Sequence, residues 1–531
     1  MKQNGKIVFL AITAVFAVLL ASGCDLNYGS GGEYAPPPPQ PIPSDPPARV
    51  ARLSYLNGPV SFRAAGSTQW TPAVLNRPVT TGDELWTGAG ARAELHLGFA
   101  AIRLDAHTDF GVLELTSNAF QAKVTQGIAV IKLRALEHGN DFEIDTPHAA
   151  FTPSYAGEYR IEASANRTAL IAREGAAEVT NPRGATELTA SHRVVVRTRG
   201  RREIGAAAAP DSFDQFCQLR DRAEDRAESQ KYLPAGVLGG YDLDDCGIWL
   251  TSPAWGSYWT PRCVPVDWAP YRFGRWAWIE PWGWSWIDDM PWGFAPFHYG
   301  RWVRMNENWS WVPAPYQSEP VYAPALVAFA GSAKRGSELS EWLEGLGVAW
   351  FPLGPKEVYV PAYRSSVHHL IALNPTADDP DSAGASRLMQ QPYANRAAKA
   401  ITAISREAFL SGRPIGKSAV SVDARDAAAI EVTACFPPLA PTVSSLSSPA
   451  PAGVDVTKPA AEISSRTVIS RRPAPDPPLP FESRLPTLQS RPGRPVDRPA
   501  ENVPATNGHR RTRTRAALPT TVAAEMHPVE A

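Results

Sequence analysis

Short stretches that alternate between hydrophobic and polar residues dominate the first third of the chain. Examples are residues 93–97, 102–104, 142–144 and 169–179, each bounded by Gly, Asn or Pro. Alternation with a period of two predicts strands with one buried face, and turn residues about every 8 to 12 positions predict an all-β domain over residues 49–200. Because no helical pattern separates these strands, a sandwich, roll or solenoid-like stack is favoured over alternating strands and helices.

The pattern changes after this domain. Residues 211–232 contain neither Gly nor Pro, place Phe213 and Phe216 at helical spacing, and offer Asp211 or Ser212 as an N-cap. We therefore predict a connecting helix at residues 211–232. The alternating charges along this segment are typical of a solvated helix face.

Residues 233–330 contain an internal repeat. The pattern Gly-x-Trp begins at positions 247, 274 and 300, and a second aromatic segment follows each copy. Each unit predicts two short strands around a turn. A lone hairpin is marginally stable in water, so the three hairpins are predicted to stack or to form one sheet in a small Trp-rich β domain.

Thirteen of the 17 Trp residues lie between Trp249 and Trp311, which allows two interpretations. Each ring buries roughly 150–250 Å², so the rings can form the core of a domain with few aliphatic residues. Alternatively, rings on one face of the second hairpin can form an exposed ladder that binds a sugar ring or a Pro-rich polypeptide, with neighbouring arginines as cation–π partners or as structural clamps. The candidate ligand-binding residues are Trp276, Trp278, Trp282, Trp284, Trp286, Arg275 and Arg301.

The N-terminus has the pattern of an export signal. Two lysines precede an uncharged, mostly apolar run at residues 7–20, which is too short to span a bilayer. Small residues then lead to Cys24, and residues 20–24 resemble the lipobox of bacterial lipoproteins. The resemblance implies that residues 1–24 are a signal peptide ending at a lipidated Cys24. We therefore expect a lipid-anchored protein of the bacterial cell envelope, facing the periplasm or the cell surface.

Three further regions complete the organisation of the chain. Residues 25–48 are rich in Pro, Gly and Ser and are predicted to be an extended tether. Residues 331–434 mix helical and strand patterns and are predicted to be a mixed α/β extension. Residues 435–531 combine many Pro with Ser, Thr, Ala and Arg, so we predict a disordered tail. Within it, residues 473–480 resemble a polyproline ligand that an aromatic groove, including this protein's own, can hold.

Residues 81–88 read Thr-Gly-Asp-Glu-Leu-Trp-Thr-Gly. Together with residues 91–95, 144–147 and 168–179, they resemble the FecR domain of bacterial envelope proteins. That resemblance implies a periplasmic module for protein interaction or sensing.

The stretch around the hairpins resembles an uncharacterised Trp/Tyr-rich bacterial domain that often follows a FecR domain. The matching pieces are 268–271, 274–276, 291–296, 298–302, 320–327 and 348–361. This second resemblance implies no activity, because the family has none assigned to it.

Four cysteines follow Cys24 in the chain. Cys246 and Cys263 flank the first predicted hairpin and are the candidate disulfide, since disulfides form in an oxidising envelope. Closing that loop would stabilise the protein by roughly 3 kcal/mol in the chain-entropy model.

Composition and motifs narrow the function. A net charge of −1 argues against a nucleic-acid partner. The chain has no Gly-x-Ser-x-Gly, no His-Glu-x-x-His and no phosphate-binding Gly loop, and we predict no catalytic residue, metal or cofactor. Glu280, Asp288 and Asp289 lie among the Trp residues, which leaves a carbohydrate-active hydrolase as a less favoured alternative.

The sequence therefore predicts a mainly β, non-enzymatic envelope lipoprotein that acts in interaction, scaffolding or sensing through its FecR-like domain. Its expected partners are the membrane, through the N-terminal lipid, and an envelope protein or a cell-wall glycan. Glycan binding by the Trp-rich repeats, with peptidoglycan or a polysaccharide as ligand, is the alternative function.

Overall fold

The computed structural model describes residues 45–136, 141–316, 318–331, 338–377, 391–397, 399–420, 422–450 and 456–496. The predicted signal peptide, Cys24 and most of the tether lie outside these residues. The fold is mainly β, with 37% strand and 17% helix, which confirms the predicted fold class. In the described part of the chain, no helix is both long and apolar enough to cross a membrane.

Seventeen strands form the first domain, which we call the β domain. They are β1 Ala51–Asn57, β2 Val60–Arg63, β3 Trp70–Pro72, β4 Pro78–Val79, β5 Glu84–Thr87, β6 Arg92–His96, β7 Ala100–Leu104, β8 Asp109–Leu115, β9 Ala119–Leu133, β10 Asp141–Asp145, β11 Ala150–Pro153, β12 Gly157–Ala163, β13 Arg167–Ala172, β14 Ala176–Asn181, β15 Gly184–Thr189, β16 His192–Arg197 and β17 Arg202–Ala206. A 3₁₀ turn, Thr198–Gly200, separates the last two strands.

The strands pair in two layers. Layer A has the order β4-β1-β6-β7-β9-β12-β13-β16-β17, and layer B has the order β3-β2-β5-β8-β9-β10-β11-β14-β15. Inward side chains of both layers, such as Ile102 from layer A and Phe120 from layer B, share one hydrophobic core. The alternating pattern of the sequence therefore corresponds to strands with one buried face.

Strand β9 belongs to both layers. Its residues 119–126 pair with β8 and β10, and its residues 127–133 pair with β7 and β12. Gly127 lies at the crossing with φ +97°, and a Cβ atom there would lie 2.4 Å from Thr108 Cα. Only glycine fits a position with both a positive φ and so close a backbone neighbour.

Helix α1, Ser212–Asp225, follows the β domain and begins at the N-cap Asp211, one of the two predicted caps. Two of its acidic residues face the β domain and are buried. Asp214 binds Arg160 at 3.2 Å, and Asp221 binds Arg103 at 2.8 Å. The prediction of a solvated charged face is therefore wrong for this side of the helix, because the β domain supplies the opposite charges.

The three predicted hairpins are present. They are β18 Gly247–Ser252 with β19 Gly256–Pro261, β20 Gly274–Ile279 with β21 Gly283–Asp288, and β22 Arg301–Met305 with β23 Asn308–Val312. The first and third join in one four-stranded sheet through the pair Trp259↔Trp311, and the second is a separate two-stranded sheet. Two of the three hairpins thus share a sheet. We call residues 233–330 the repeat domain.

After the two sheets formed by the hairpins, a further four-stranded sheet has the order β26-β25-β24-β27. Its strands are β24 Val327–Gly331, β25 Gly347–Pro352, β26 Thr402–Ser405 and β27 Glu431–Ala434. The short helices are Ala295–His298, Glu338–Gly345, Val367–Leu373, Arg406–Leu410, Ala424–Ala429, Ala461–Ser464 and Phe481–Ser490. Further 3₁₀ turns are Glu228–Lys231, Tyr241–Leu243, Gly416–Ser418 and Val443–Leu446.

The tail differs from its prediction. Residues 435–450 and 456–496 lie against the folded domains, and Phe481 and Leu488 are buried. Disorder was predicted because this segment contains few apolar residues, but its arginines and backbone amides find partners on other domains. Residues 451–455 and 497–531 lie outside the described part of the chain.

Candidate functional site

The second hairpin brings four of the candidate Trp residues together. Its register pairs Trp276 with Trp286 and Trp278 with Trp284, so the four rings share one face. The rings contact each other edge to face, with centroids 5.5 Å apart in both pairs. This geometry is favourable for aromatic rings and gives the ladder that the sequence predicted.

The ladder is covered by protein and is not exposed. Phe329, Trp350 and Phe409 lie 5.2–5.5 Å from Trp276, and the exposed fractions of the five candidate Trp side chains are between 0% and 4%. The hypothesis that these rings form a ligand-binding platform is therefore wrong. The covering residues come from β24, β25 and the helix Arg406–Leu410, all of which follow the three hairpins in the chain.

The two candidate arginines bind oxygen atoms of the protein. Arg301 is 2% exposed and donates to Glu357 O at 3.2 Å and Asn374 Oδ1 at 2.9 Å. Arg275 donates to Asp289 Oδ1 at 2.8 Å and Ser448 Oγ at 3.0 Å. Both side chains act as structural clamps and are not available to an external ligand.

The three carboxylates of the hydrolase alternative also have structural partners. Asp288 is buried and accepts from Trp286 Nε1 at 3.0 Å and from Met290 N at 2.9 Å, and burial raises its pKa well above the ordinary value. Asp289 pairs with Arg275, and Glu280 pairs with Arg484 of the tail. Each carboxylate thus stabilises a contact within the protein.

The candidate disulfide residues are neighbours at the base of the first hairpin. Both are thiols in the structure; Cys246 is half-buried and Cys263 is exposed. Burial and a hydrogen bond with Cys263 together raise the pKa of Cys246 to about 12. Cys217 and Cys435 are buried in two different hydrophobic clusters. The pairing of Cys246 with Cys263 stays a prediction.

We expect the protein purified from an oxidising compartment to contain a disulfide bond between Cys246 and Cys263, which lowers its mass by the two thiol hydrogens. Intact-mass measurement with and without a reductant would detect the loss, and a nonreduced peptide map would join the two residues. The variant Cys263→Ser should abolish the cross-link, whereas Cys217→Ser should not. A cross-link that involves Cys217 or Cys435 would contradict the pairing.

A buried charge cluster that the sequence did not predict lies where layer A meets helix α1. Glu94 is fully buried and accepts from Arg103 Nε and Arg220 Nη2, each at 2.6 Å. Burial favours its neutral form, but His96, Arg220 and Arg103 hold the pKa of Glu94 well below its ordinary value. The cluster therefore keeps a carboxylate charged inside the protein, and it fixes α1 to the β domain.

A second polar cluster joins the β domain to the repeat domain. Arg52 is buried, pairs with Asp242, and donates to Asn76 Oδ1 at 2.7 Å. Asn76 Nδ2 in turn donates to the backbone oxygens of Asp288 and Met290 at 3.1 and 2.7 Å. These contacts fix the second hairpin to the β domain, so the repeat domain has a structural role in this part of the molecule.

The outer face of layer B carries a row of carboxylates. On β10, Glu143 and Asp145 alternate with Phe142 and Ile144, whose side chains lie in the core. The acidic side chains therefore point away from the core. They are nevertheless buried, because residues 456–496, which we call the strap, cross over them.

The strap binds this face through backbone and side-chain atoms. Ile469 N donates to Thr146 O at 2.9 Å, and Ser470 Oγ donates to Asp145 Oδ2 at 2.5 Å. Gln121 Nε2 bridges the two partners by donating to Asp145 Oδ2 at 2.8 Å and to Arg472 O at 3.0 Å. Burial raises the pKa of Asp145 to about 7, against the hydrogen bond from Ser470, which lowers it. The outer face of layer B thus holds a segment of the chain's own C-terminal region.

Comparisons with known proteins agree with part of the sequence interpretation. Residues 240–357 match the model of a family of unknown function, DUF6600, which covers the three hairpins. A search of curated proteins found no match. Two crystal structures of a protein assigned as an anti-sigma factor from Parabacteroides distasonis ATCC 8503 are similar to 24% and 26% of this chain, at 21% and 19% identity, both with a TM-score of 0.22. The similarity covers 60% and 64% of those chains, less than two thirds of either. The resemblance of the β domain to FecR stays a prediction.

Proposed function

We propose that this protein is a non-enzymatic interaction or scaffold protein of the bacterial envelope, anchored by a lipid on Cys24, and that the outer face of layer B is its binding surface. The observation that carries the proposal is the strap itself. Layer B already holds residues 470–472 of the strap through Glu143, Asp145 and Gln121. The repeat domain contacts the β domain through the polar cluster around Arg52, and its candidate Trp rings are buried.

Recruitment of a polypeptide in cells can be tested by photo-crosslinking. A photoreactive amino acid would replace Tyr155, which is 66% exposed and lies two residues after β11 of layer B. We expect it to cross-link to a discrete second polypeptide of the envelope. A matched position on the repeat domain, Val266, is 88% exposed and should give no such product.

Two outcomes would contradict the proposal. One is a cross-link from Val266 and none from Tyr155, which would assign binding to the repeat domain. The other is a product from Tyr155 that muramidase digestion shifts to lower mass, because such a product contains cell-wall glycan. The variant Cys24→Ser tests the anchor separately, since it should lose incorporation of labelled palmitate.

A further inference from the structure

The strap and the face that it covers have complementary charges. Residues 456–496 contain seven Lys or Arg and three Asp or Glu, together with nine Pro. Arg472 binds Glu114 at 2.7 Å and Asp141 at 3.1 Å, and Arg471 lies 3.6 Å from Glu178. Opposite charges on two surfaces select a partner and speed its association. The outer face of layer B therefore favours a basic chain.

The carboxylate of Glu143 recognises the backbone of this basic chain. Its Oε1 atom accepts from Arg471 N at 2.6 Å and from Arg472 N at 3.3 Å. One carboxylate oxygen can receive two successive backbone amides only where the chain bends, because successive N–H groups of an extended chain point in opposite directions, and the chain bends at residues 471 and 472. Residue 473 is Pro, so the two amide donors end immediately before a residue that has no N–H.

The strap buries apolar side chains in residues 481–496, whereas no side chain of residues 460–480 is fully buried. Phe481 is buried, and its N donates to Gly66 O at 2.9 Å. In residues 460–480, by contrast, every side chain is half-buried or exposed. A segment with few buried apolar contacts opens locally at low free-energy cost. The middle of the strap can therefore leave the face while the protein stays folded.

We propose that the outer face of layer B is a binding site for an arginine-containing polypeptide of another protein that bends where it meets Glu143, and that residues 466–473 of this chain occupy the site in cis until that polypeptide displaces them. The chemistry of the ligand follows from the strap segment that occupies the site. The ligand needs a hydroxyl side chain that donates to Asp145, two successive backbone amides that donate to Glu143, and arginine side chains that pair with the surrounding carboxylates. This inference rests on the function proposed above and adds the ligand class and its competitor.

The test uses the full chain and a fluorescent peptide with the sequence of residues 464–475, measured by fluorescence anisotropy. In the wild-type protein the strap occupies the site. The apparent affinity for the peptide is therefore the intrinsic affinity multiplied by the fraction of molecules in which the strap has left the face. The double variant Arg471→Glu, Arg472→Glu should release the strap by repulsion from Glu143 and Glu114. We expect it to bind the peptide at least about tenfold more tightly than the wild type.

Further variants locate the site. Adding Glu143→Gln and Asp145→Asn to the strap variant should abolish peptide binding, whereas Glu187→Gln, on the exposed strand β15 of the same layer, should leave it unchanged. If the carboxylate variant does not fold, Gln121→Ala provides the second test, because it removes the donor to Arg472 O and should weaken binding severalfold.

Three results would overturn the proposal. The first is equal affinity of the wild type and the strap variant, which would mean that the strap does not compete. The second is equal binding of a peptide with the same composition in scrambled order. The third is a dimer of the wild type that the strap variant loses, because the occupant would then be the strap of a second copy. Each result is independent of the cross-link from Tyr155, so the ligand class can fail while the interaction function stands.

Discussion

Replacing Glu94 with Gln is expected to lower the free energy of unfolding by about 3–5 kcal/mol, because it removes the buried carboxylate that Arg103 and Arg220 share and leaves Arg103 with Asp221 alone. Equilibrium unfolding in urea at pH 7 would measure the loss. The variant keeps the shape of the side chain, so the effect isolates the charge. A matched control is Glu203→Gln, which removes a pair with Arg197 at an exposed site and should leave the unfolding midpoint unchanged.

The effect of Glu94→Gln should also depend on pH. The pKa of Glu94 is held below its ordinary value of 4.5, so its charged form stabilises the folded state above that pH. This stabilisation is lost as the pH falls through the folded-state pKa. The difference between wild type and variant should therefore be greatest at neutral pH and should shrink below pH 4.5. No difference at pH 7 would show that the cluster does not stabilise the protein, and a difference that does not shrink at low pH would show that the charge of Glu94 is not its cause.

Replacing Trp276 with Ala is expected to destabilise the protein by about 3–5 kcal/mol, since the ring is 1% exposed and touches rings of four separate elements. The change removes the transfer free energy of the ring and leaves a cavity among Trp286, Trp350 and Phe409. Urea unfolding and near-ultraviolet circular dichroism would report the loss of stability and of ring packing.

Trp255→Ala provides the matched control for this core variant. Trp255 lies in the turn of the first hairpin and is half-buried, so its truncation should cost much less than that of Trp276. Equal effects of the two variants would contradict the description of the second hairpin as core. Wild-type stability of Trp276→Ala, combined with loss of binding to isolated cell walls, would restore the exposed-ladder hypothesis.

Sequence patterns predict those features of the fold that depend on residues close together in the chain. The period of two predicted the strands, the repeat predicted three hairpins, and alternation predicted that Trp276 and Trp278 share a face. The residues that cover that face could not be predicted. Phe329 and Trp350 belong to another sheet, and nothing in the repeated sequence indicates that this sheet packs against the hairpin. Burial of a ring depends on residues far away in sequence, and a period describes only residues that are close.

The charged sites show the same limit. Glu94 and Arg103 look like ordinary polar positions of alternating strands, and only the approach of helix α1 makes them a buried cluster. The composition of the strap alone predicts disorder, because the segment contains few apolar residues. Its partners, such as Glu143, lie more than three hundred positions earlier in the chain. Composition describes a segment in isolation, whereas order here depends on the complementary charge of another domain.

The double membership of strand β9 restricts how the β domain can respond to an occupant. A slide of β9 by one residue would turn its inward side chains outward in layer B and in layer A together, and the contact of Gly127 with Thr108 fixes the crossing point. The energetic penalty would therefore be incurred twice. A register shift of β9 is therefore disfavoured in both layers, and the β domain presents its outer face as a stiff platform.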